Sequence, residues 1–285
     1  MNHPDVETSS AGYARRFSGR AGRYLLEVQK NALIRTLRDC PPGRVLDVGG
    51  AHGQLVDPLR SLGWSVTVAG SSEECGHNLR ILHGKRDCQF ICSDILHLPF
   101  PDASFELVTS VRLLSHMEDW QRFLGELCRV SARWVVVDYP STSGINALTP
   151  LLFEVKKRLE GNTRTYRSFS ARELNQVLLS HGYRVGAVSK QFVLPMALHR
   201  VCGSAAPLRV AESASRAIGL TAVAGSPVLM RADRVAAAPH KEPPVLLARR
   251  PGTLRGGVPD PNGLPSGRAG RSRSELAPAD AARED

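Results

Sequence analysis

Cysteine pairs of the C-x-x-C type are absent from this 285-residue chain, whose six cysteines (Cys40, Cys75, Cys88, Cys92, Cys128 and Cys202) are scattered. Cys88 and Cys92 stand four apart, with no second pair or histidine spacing to complete a zinc site. This excludes a dithiol or zinc-ribbon motif, and no metal is expected. It predicts reduced, mostly buried thiols, as in a cytoplasmic protein. No apolar run approaches the roughly 18 residues of a membrane-spanning helix. The opening MNHPDVETSS is polar and acidic and lacks the apolar core of a signal peptide. No period of about 20–50 residues recurs, which excludes a solenoid or propeller. Lysine is scarce too: of 37 basic residues only 6 are lysine. Aromatic residues are missing altogether from 236–285, a stretch that holds 8 of the 19 prolines and 6 of the 25 glycines. Such a segment cannot bury enough apolar surface to offset backbone ordering and is expected to be a disordered tail.

What remains has the balance of an ordinary globular domain, with 42% apolar and 22% charged residues. The net charge of +10 raises nucleic acid or anionic lipid as partners. The tail carries 8 basic and 6 acidic residues, so most of the excess lies in 1–235. There it is dispersed arginine, not a basic arm, and no nucleic acid partner is expected.

Along the chain, apolar runs alternate with helical patterns. In 21–38, Leu25, Val28, Leu33 and Leu37 fall near one helix face. Pro41-Pro42-Gly43 stops that helix, and Arg44–Val48 (RVLDV) follows as a buried strand. Helix Gln54–Leu62 and strand Trp64–Val68 come next, with Ser71 or Ser72 placed to cap a further helix. Cys88–Ser93, Phe105–Ser110 and Arg133–Asp138 read as strands three to five, with a helix over Trp120–Val130. Ser170 and Glu173 form a capping-box pattern ahead of ARELNQVLLSHG. Tyr183–Val188 is a strand, an irregular stretch follows, and Pro227–Arg231 is the last strand. The alternation predicts an α/β fold, a doubly wound, mostly parallel seven-stranded sheet. A helical insertion over 140–169 interrupts it after the fifth strand and, at the ligand-binding end of the sheet, is a candidate lid. The expected organisation is an N-terminal helical segment (1–39), one domain (40–235) and the tail (236–285).

The turn Asp47-Val48-Gly49-Gly50-Ala51-His52-Gly53 joins the first strand to a helix. Glycines there let the backbone approach a ligand, and the helix start beyond offers a positive dipole end. Yet Asp47 at the strand end would repel a pyrophosphate, which argues against a dinucleotide. It suits a ligand that carries an ammonium group.

Three segments, LDVGGAHG (46–53), SDILHLPFPDASFELV (93–108) and SVRLLSHMED (110–119), resemble the class I, seven-stranded S-adenosylmethionine (SAM)-dependent methyltransferases, small-molecule type. FSARELNQVLLSHGYRV (169–185) and GSPVLMR (225–231) are similar to that family's sixth helix and strand and its final antiparallel strand. The likeness spans about 12–233. It implies SAM as cofactor, with Asp47 holding the methionine ammonium and Gly49, Ala51 and Gly53 passing under the cofactor. It implies that Asp94 accepts from the adenine amino group and that the Ile95 N–H lies near a ring nitrogen. His116, after the fourth strand, is the expected catalytic residue; Asp138, Tyr139 and Arg112 are further candidates at the same mouth. Tyr13 and Phe17 match the segment that covers the cofactor in relatives. One position departs from the pattern: Gly70 stands where the family has an acid that binds both ribose hydroxyls. The resemblance implies a SAM-dependent methyltransferase that acts on a small molecule at oxygen or carbon. The alternatives are a methyltransferase-like binding domain without turnover, which Gly70 favours, and an RNA methyltransferase, which only net charge favours. The apolar-plus-basic segments Leu151–Arg167 and Lys190–Arg200 suit a hydrophobic or acidic substrate and peripheral membrane contact.

Overall fold

Arg44–Val48 forms β1, buried along its length after Arg44, because Val45, Leu46 and Val48 point alternately into apolar layers on both faces of the sheet. The computed structural model describes residues 4–50, 52–77, 79, 88–142, 166–203 and 206–235. These belong to the first of two units, Met1–Ala237 and Ala238–Asp285. Ala51, most of the expected insertion (143–165) and the expected tail (236–285) lie outside the described residues.

Beside β1 lie β2 (Ser65–Gly70), β3 (Gln89–Cys92), β4 (Phe105–Ser110), β5 (Ser131–Tyr139), β6 (Tyr183–Phe192) and β7 (Ser226–Arg234). They form one seven-stranded sheet in the order β3-β2-β1-β4-β5-β7-β6. β1 to β5 pair in parallel, and β7 runs antiparallel between β5 and β6. The winding reverses between β1 and β4, and at such a switch point the C-terminal strand ends leave a crevice for a ligand.

The helices cover the sheet by their apolar stripes. After the short turns α1 (Pro4–Thr8) and α2 (Ala11–Ala14) comes α3 (Gly19–Leu37), which buries Leu25, Val28, Ala32, Leu33 and Leu37. α4 (Val56–Ser61) follows the glycine turn. α5 (Trp120–Val130) buries Trp120, Phe123, Leu124, Leu127 and Cys128 at three- and four-residue spacing. Each such side chain contributes roughly 1.5–3 kcal/mol. α6 (Ala171–Ser180) opens with the expected capping box: Glu173 N donates to Ser170 Oγ (3.2 Å), and Ser170 N donates to Glu173 Oε2 (2.9 Å).

The structure differs from the sequence reading where tertiary pairing decides. β6 continues four residues past Val188, because β7 pairs with it as far as Phe192. The stretch expected to be irregular holds α7 (Met196–Val201), α8 (Ala206–Ala217) and α9 (Leu220–Ala224). Its anchor is Glu212, fully buried, whose carboxylate accepts from the Leu194 N–H (2.8 Å) and the Val193 N–H (3.2 Å) and meets His199 Nε2 at 3.3 Å. No helix among the described residues is long and apolar enough to cross a membrane.

Candidate active site

The glycine turn closes on itself by the Gly53 N–H donating to the Gly50 carbonyl (2.8 Å), and it is tied to β2 by the Gly49 N–H donating to the Ala69 carbonyl (2.8 Å). Gly49 and Gly53 have φ of +78° and +63°, which side chains other than glycine's resist. A Cβ at Gly49 would stand 2.5 Å from Leu113 Cδ2, and one at Gly50 would collide with the Asp47 carboxylate. We therefore expect Gly50→Ala to lower stability by about 1–3 kcal/mol, as overpacking does, read as a shifted denaturant midpoint.

Asp47 is 1% exposed. Its Oδ1 accepts from Thr109 Oγ1 at 2.8 Å, while Oδ2 has no partner among the described residues. Burial pushes its pKa up to about 7, against the opposing pull of the Thr109 hydroxyl. A buried carboxylate oxygen without a donor is costly and asks for a cationic one.

Asp47 also lines a small cleft that opens at the switch point. Its lining includes Gly49, Gly50, His52, Gln54 and Arg112, together with Thr8 and Tyr13 of the N-terminal segment. The Tyr13 ring stacks on His52 (6.1 Å between centroids, 5° between planes), and His52 also bonds the Thr8 backbone. Phe17 lies under the Arg112 guanidinium, 3.7 Å from Cζ to the ring centre, and Arg200 of α7 reaches the same ring at 5.7 Å.

Arg112 has φ +66°, a strained value for a residue with a side chain. Asp138, at the end of β5 and 5% exposed, holds that turn: its Oδ1 accepts from the Arg112 N–H at 2.5 Å. Burial raises the Asp138 pKa to about 6, the Arg112 N–H pulling the other way. Electrostatically, Tyr13 and Tyr166 both feel this carboxylate. The C-terminal ends of β1, β4 and β5 thus bring together Asp47, Arg112 and Asp138, with Tyr13 in the cleft lining and Phe17 against Arg112.

Of the site residues expected from sequence, Asp47, Gly49 and Gly53 meet at this turn, whereas Ala51 lies outside the described residues. Asp94 and Ile95 do not line the cleft. Asp94 is exposed beyond edge strand β3, where its carboxylate accepts from the Leu96 N–H (2.8 Å) and meets His97 Nδ1 (2.7 Å). Ile95 is fully buried in the core. His116 sits in the 3₁₀ turn Leu114–His116, half-buried, with its ring 5.8 Å from that of Tyr166 and outside the cleft lining. Sequence reasoning missed Thr8, Gln29 and Gln54. Pro4 followed by Asp5 is a helix-start signal, but nothing in it tells that α1 folds over the glycine turn. Of the two serines expected to cap the helix after β2, Ser72 directly precedes the helical residues 73–77 and its carbonyl accepts from the Cys75 N–H (3.1 Å), whereas the Ser71 hydroxyl is taken by Asp5. Among the described residues no group of three or more His, Cys, Asp or Glu could hold a metal ion.

Residues 46–133, from within β1 to the start of β5, match the methyltransferase domain family. With the sheet order, this gives the chain the fold of class I SAM-dependent methyltransferases, with a segment that matches the methyltransferase domain family. More particularly, it is 28% identical over 117 residues to norajmaline N-methyltransferase of Rauvolfia serpentina, covering 39% of this chain and 40% of that one. It is 33% identical over 107 residues to demethylmenaquinone methyltransferase of Thermus thermophilus, covering 35% and 48%. The chain thus aligns with less than half the length of either. In three dimensions it is similar to magnesium protoporphyrin IX methyltransferase from Synechocystis, solved with bound S-adenosylhomocysteine (TM-score 0.55, 15% identity, 80% of this chain and 96% of that one).

Proposed function

We propose that this chain is a SAM-dependent methyltransferase that transfers a methyl group to a small-molecule acceptor at oxygen or carbon. The observation that carries the proposal is the buried Asp47, its Oδ2 without a hydrogen-bond donor among the described residues, in the lining of a cleft together with Gly49 and Gly50. SAM fits such a site, because its methionine end offers an ammonium group and, when bound, it supplies an activated methyl on a sulfonium. In this reading Asp47 holds the ammonium, and the backbone of Gly49 and Gly50 lines the cleft beside it. Tyr13 and Phe17 exclude water. Asp94 and Ile95 remain proposed for the adenine end, which requires Asp94 to exchange its present partners.

For the acceptor, Asp138 is a stronger candidate base than His116. Neither residue lines the cleft, but Asp138 accepts from the N–H of Arg112, which does, and a pKa near 6 lets it take a proton near neutrality. An acceptor that must lose a proton, a hydroxyl or a carbon acid, suits it. Tyr13 and Phe17 with Arg112 and Arg200 support a hydrophobic, acidic molecule. The exposed Leu198, Val210, Ile218 and Val223 on α7 to α9 support peripheral contact with a membrane, and six cysteines outside any disulfide support a cytoplasmic setting.

Titration calorimetry with SAM is the direct test. Saturable binding in the micromolar range or below is expected; no binding at high micromolar concentration overturns the proposal. A second reading, a binding domain without turnover, rests on Gly70, and binding without methyl transfer to any component of metabolite extracts would favour it.

A further inference from the structure

An acid about 20 residues after a glycine turn, at the end of the second strand, is the usual acceptor for ribose hydroxyls in nucleotide-binding α/β sheets. Here that place is Gly70, 21 residues after Gly49. It has no room for an acid: a Cβ there would stand 2.9 Å from Cys75 Cβ and 3.2 Å from the Phe90 ring. Yet the place has a carboxylate. Asp5 of α1 is fully buried against the end of β2, where its Oδ2 accepts from the Ser71 N–H and its Oδ1 from the Ser71 hydroxyl, both at 2.6 Å. Cys75 Sγ lies 3.6 Å from Oδ2.

The chain of contacts from this carboxylate to the cleft is short. Ser71 follows Gly70, and the preceding residue, Ala69, accepts the Gly49 N–H. Three residues on from Asp5, Thr8 lines the cleft itself, and its hydroxyl donates to the Asp5 carbonyl (3.2 Å). α1 is therefore fastened at two points, to Ser71 by Asp5 and to His52 by the Thr8 backbone. Three donors hold this carboxylate, the Ser71 N–H and the Cys75 thiol on Oδ2 and the Ser71 hydroxyl on Oδ1, and since two oxygens offer about four acceptor sites, Oδ1 keeps a lone pair for a further donor.

We infer that Asp5 replaces the missing acid at position 70 and accepts hydrogen bonds from the ribose hydroxyls of the adenosyl ligand. This rests on the SAM-binding reading of the Asp47 cleft. It makes the N-terminal segment part of the binding site: the segment contributes a polar ligand contact as well as aromatic side chains.

The test is a binding comparison, with no turnover needed. S-adenosylhomocysteine and its 2′-deoxyribose counterpart are titrated into the full chain and into Asp5→Asn, an isosteric change that keeps a partner for Ser71. For the full chain, binding of the ribose form at least tenfold tighter than the deoxy form is expected, because a charge-assisted hydrogen bond is lost in the latter. In Asp5→Asn that preference should shrink to about twofold or less, mostly by weaker binding of the ribose form. Equal weakening of both ligands means that Asp5 only packs α1 and overturns the inference. Tighter binding of both means that α1 occludes the cleft and overturns it too. If Asp5→Asn does not fold, as judged by its thermal melt, Ser71→Ala, which frees the carboxylate from one donor, should keep the ribose preference; its loss would overturn the inference. Failure of the full chain to bind either ligand overturns the SAM reading itself, whereas binding with an undiminished preference in Asp5→Asn removes only the role of Asp5.

Discussion

Asp47→Asn will weaken SAM binding by about 10- to 100-fold at pH 7, while the ligand-free protein becomes more stable. The two effects have one cause. A charge-assisted hydrogen bond to an ammonium is worth roughly 1.5–3 kcal/mol, and the variant has no charge to offer. Without ligand, however, the carboxylate is buried with one oxygen lacking a donor, and its pKa is raised to about 7. A folded-state value raised above the unfolded one means that the folded protein binds the extra proton between about pH 4 and pH 7. Stability of the free protein is thus highest at the acid end of that window and falls as pH rises through it. Asparagine keeps an oxygen for the Thr109 hydroxyl and abolishes this loss, by an amount on the order of a few kcal/mol above pH 7.

The same group sets the pH dependence of binding. The ammonium needs Asp47 ionised, so affinity for SAM should climb by up to about tenfold per pH unit between pH 5 and 7. It should fall again as the ligand's own α-amino group loses its proton, near the ordinary value of about 7.7–8.0. In Asp47→Asn the acid limb disappears and only the alkaline limb remains. Calorimetry at pH 5.5, 6.5 and 7.5, beside thermal melts of the free proteins, reads all of this. A variant that loses stability and affinity together would show that Asp47 is a structural residue.

Much of this site was legible in the sequence because local rules coincide there. A buried strand, an acid at its end and glycines at a strand-to-helix junction are all written within 44–53, and the structure places β1 and β4 within the same bounds as the pattern did. The capping box at Ser170 was readable for the same reason: both partners lie three residues apart. What escaped depends on contacts across sequence. Asp5 meets Ser71 over 66 residues, and nothing in MNHPDVETSS says which surface α1 will cover. The helices over 206–224 escaped although the first of them is amphipathic, because their anchor, Glu212, is a buried acid whose partners, two backbone N–H groups and His199, lie across sequence. His116 was the natural choice of base by residue type, since histidine titrates near neutrality. Asp138 reaches the same range only through burial, which sequence does not report.

That difference gives the last expected result: Asp138→Asn will lower methyl transfer by about 10²- to 10⁴-fold at saturating SAM, the usual contribution of a positioned base. Two roles compete for this residue. As a positioning residue it only fastens the left-handed turn at Arg112, through the N–H that Oδ1 accepts. As a base it takes the acceptor's proton on Oδ2. Asparagine separates them, because its carbonyl oxygen still accepts from the Arg112 N–H but its amide takes no proton. A purely positioning role therefore predicts nearly unchanged transfer, and a base predicts the full loss with the SAM dissociation constant preserved. The pH profile adds an independent reading. With SAM saturating, so that Asp47 stays ionised, transfer by the full chain should rise with pH through about 6, where Asp138 loses its proton. The residual activity of the variant should lack that rise. Labelled methyl incorporated from SAM into a metabolite extract measures both proteins, whatever the acceptor. His116→Gln in the same assay should cost less than tenfold; a loss as large as that of Asp138→Asn would return the role of base to His116.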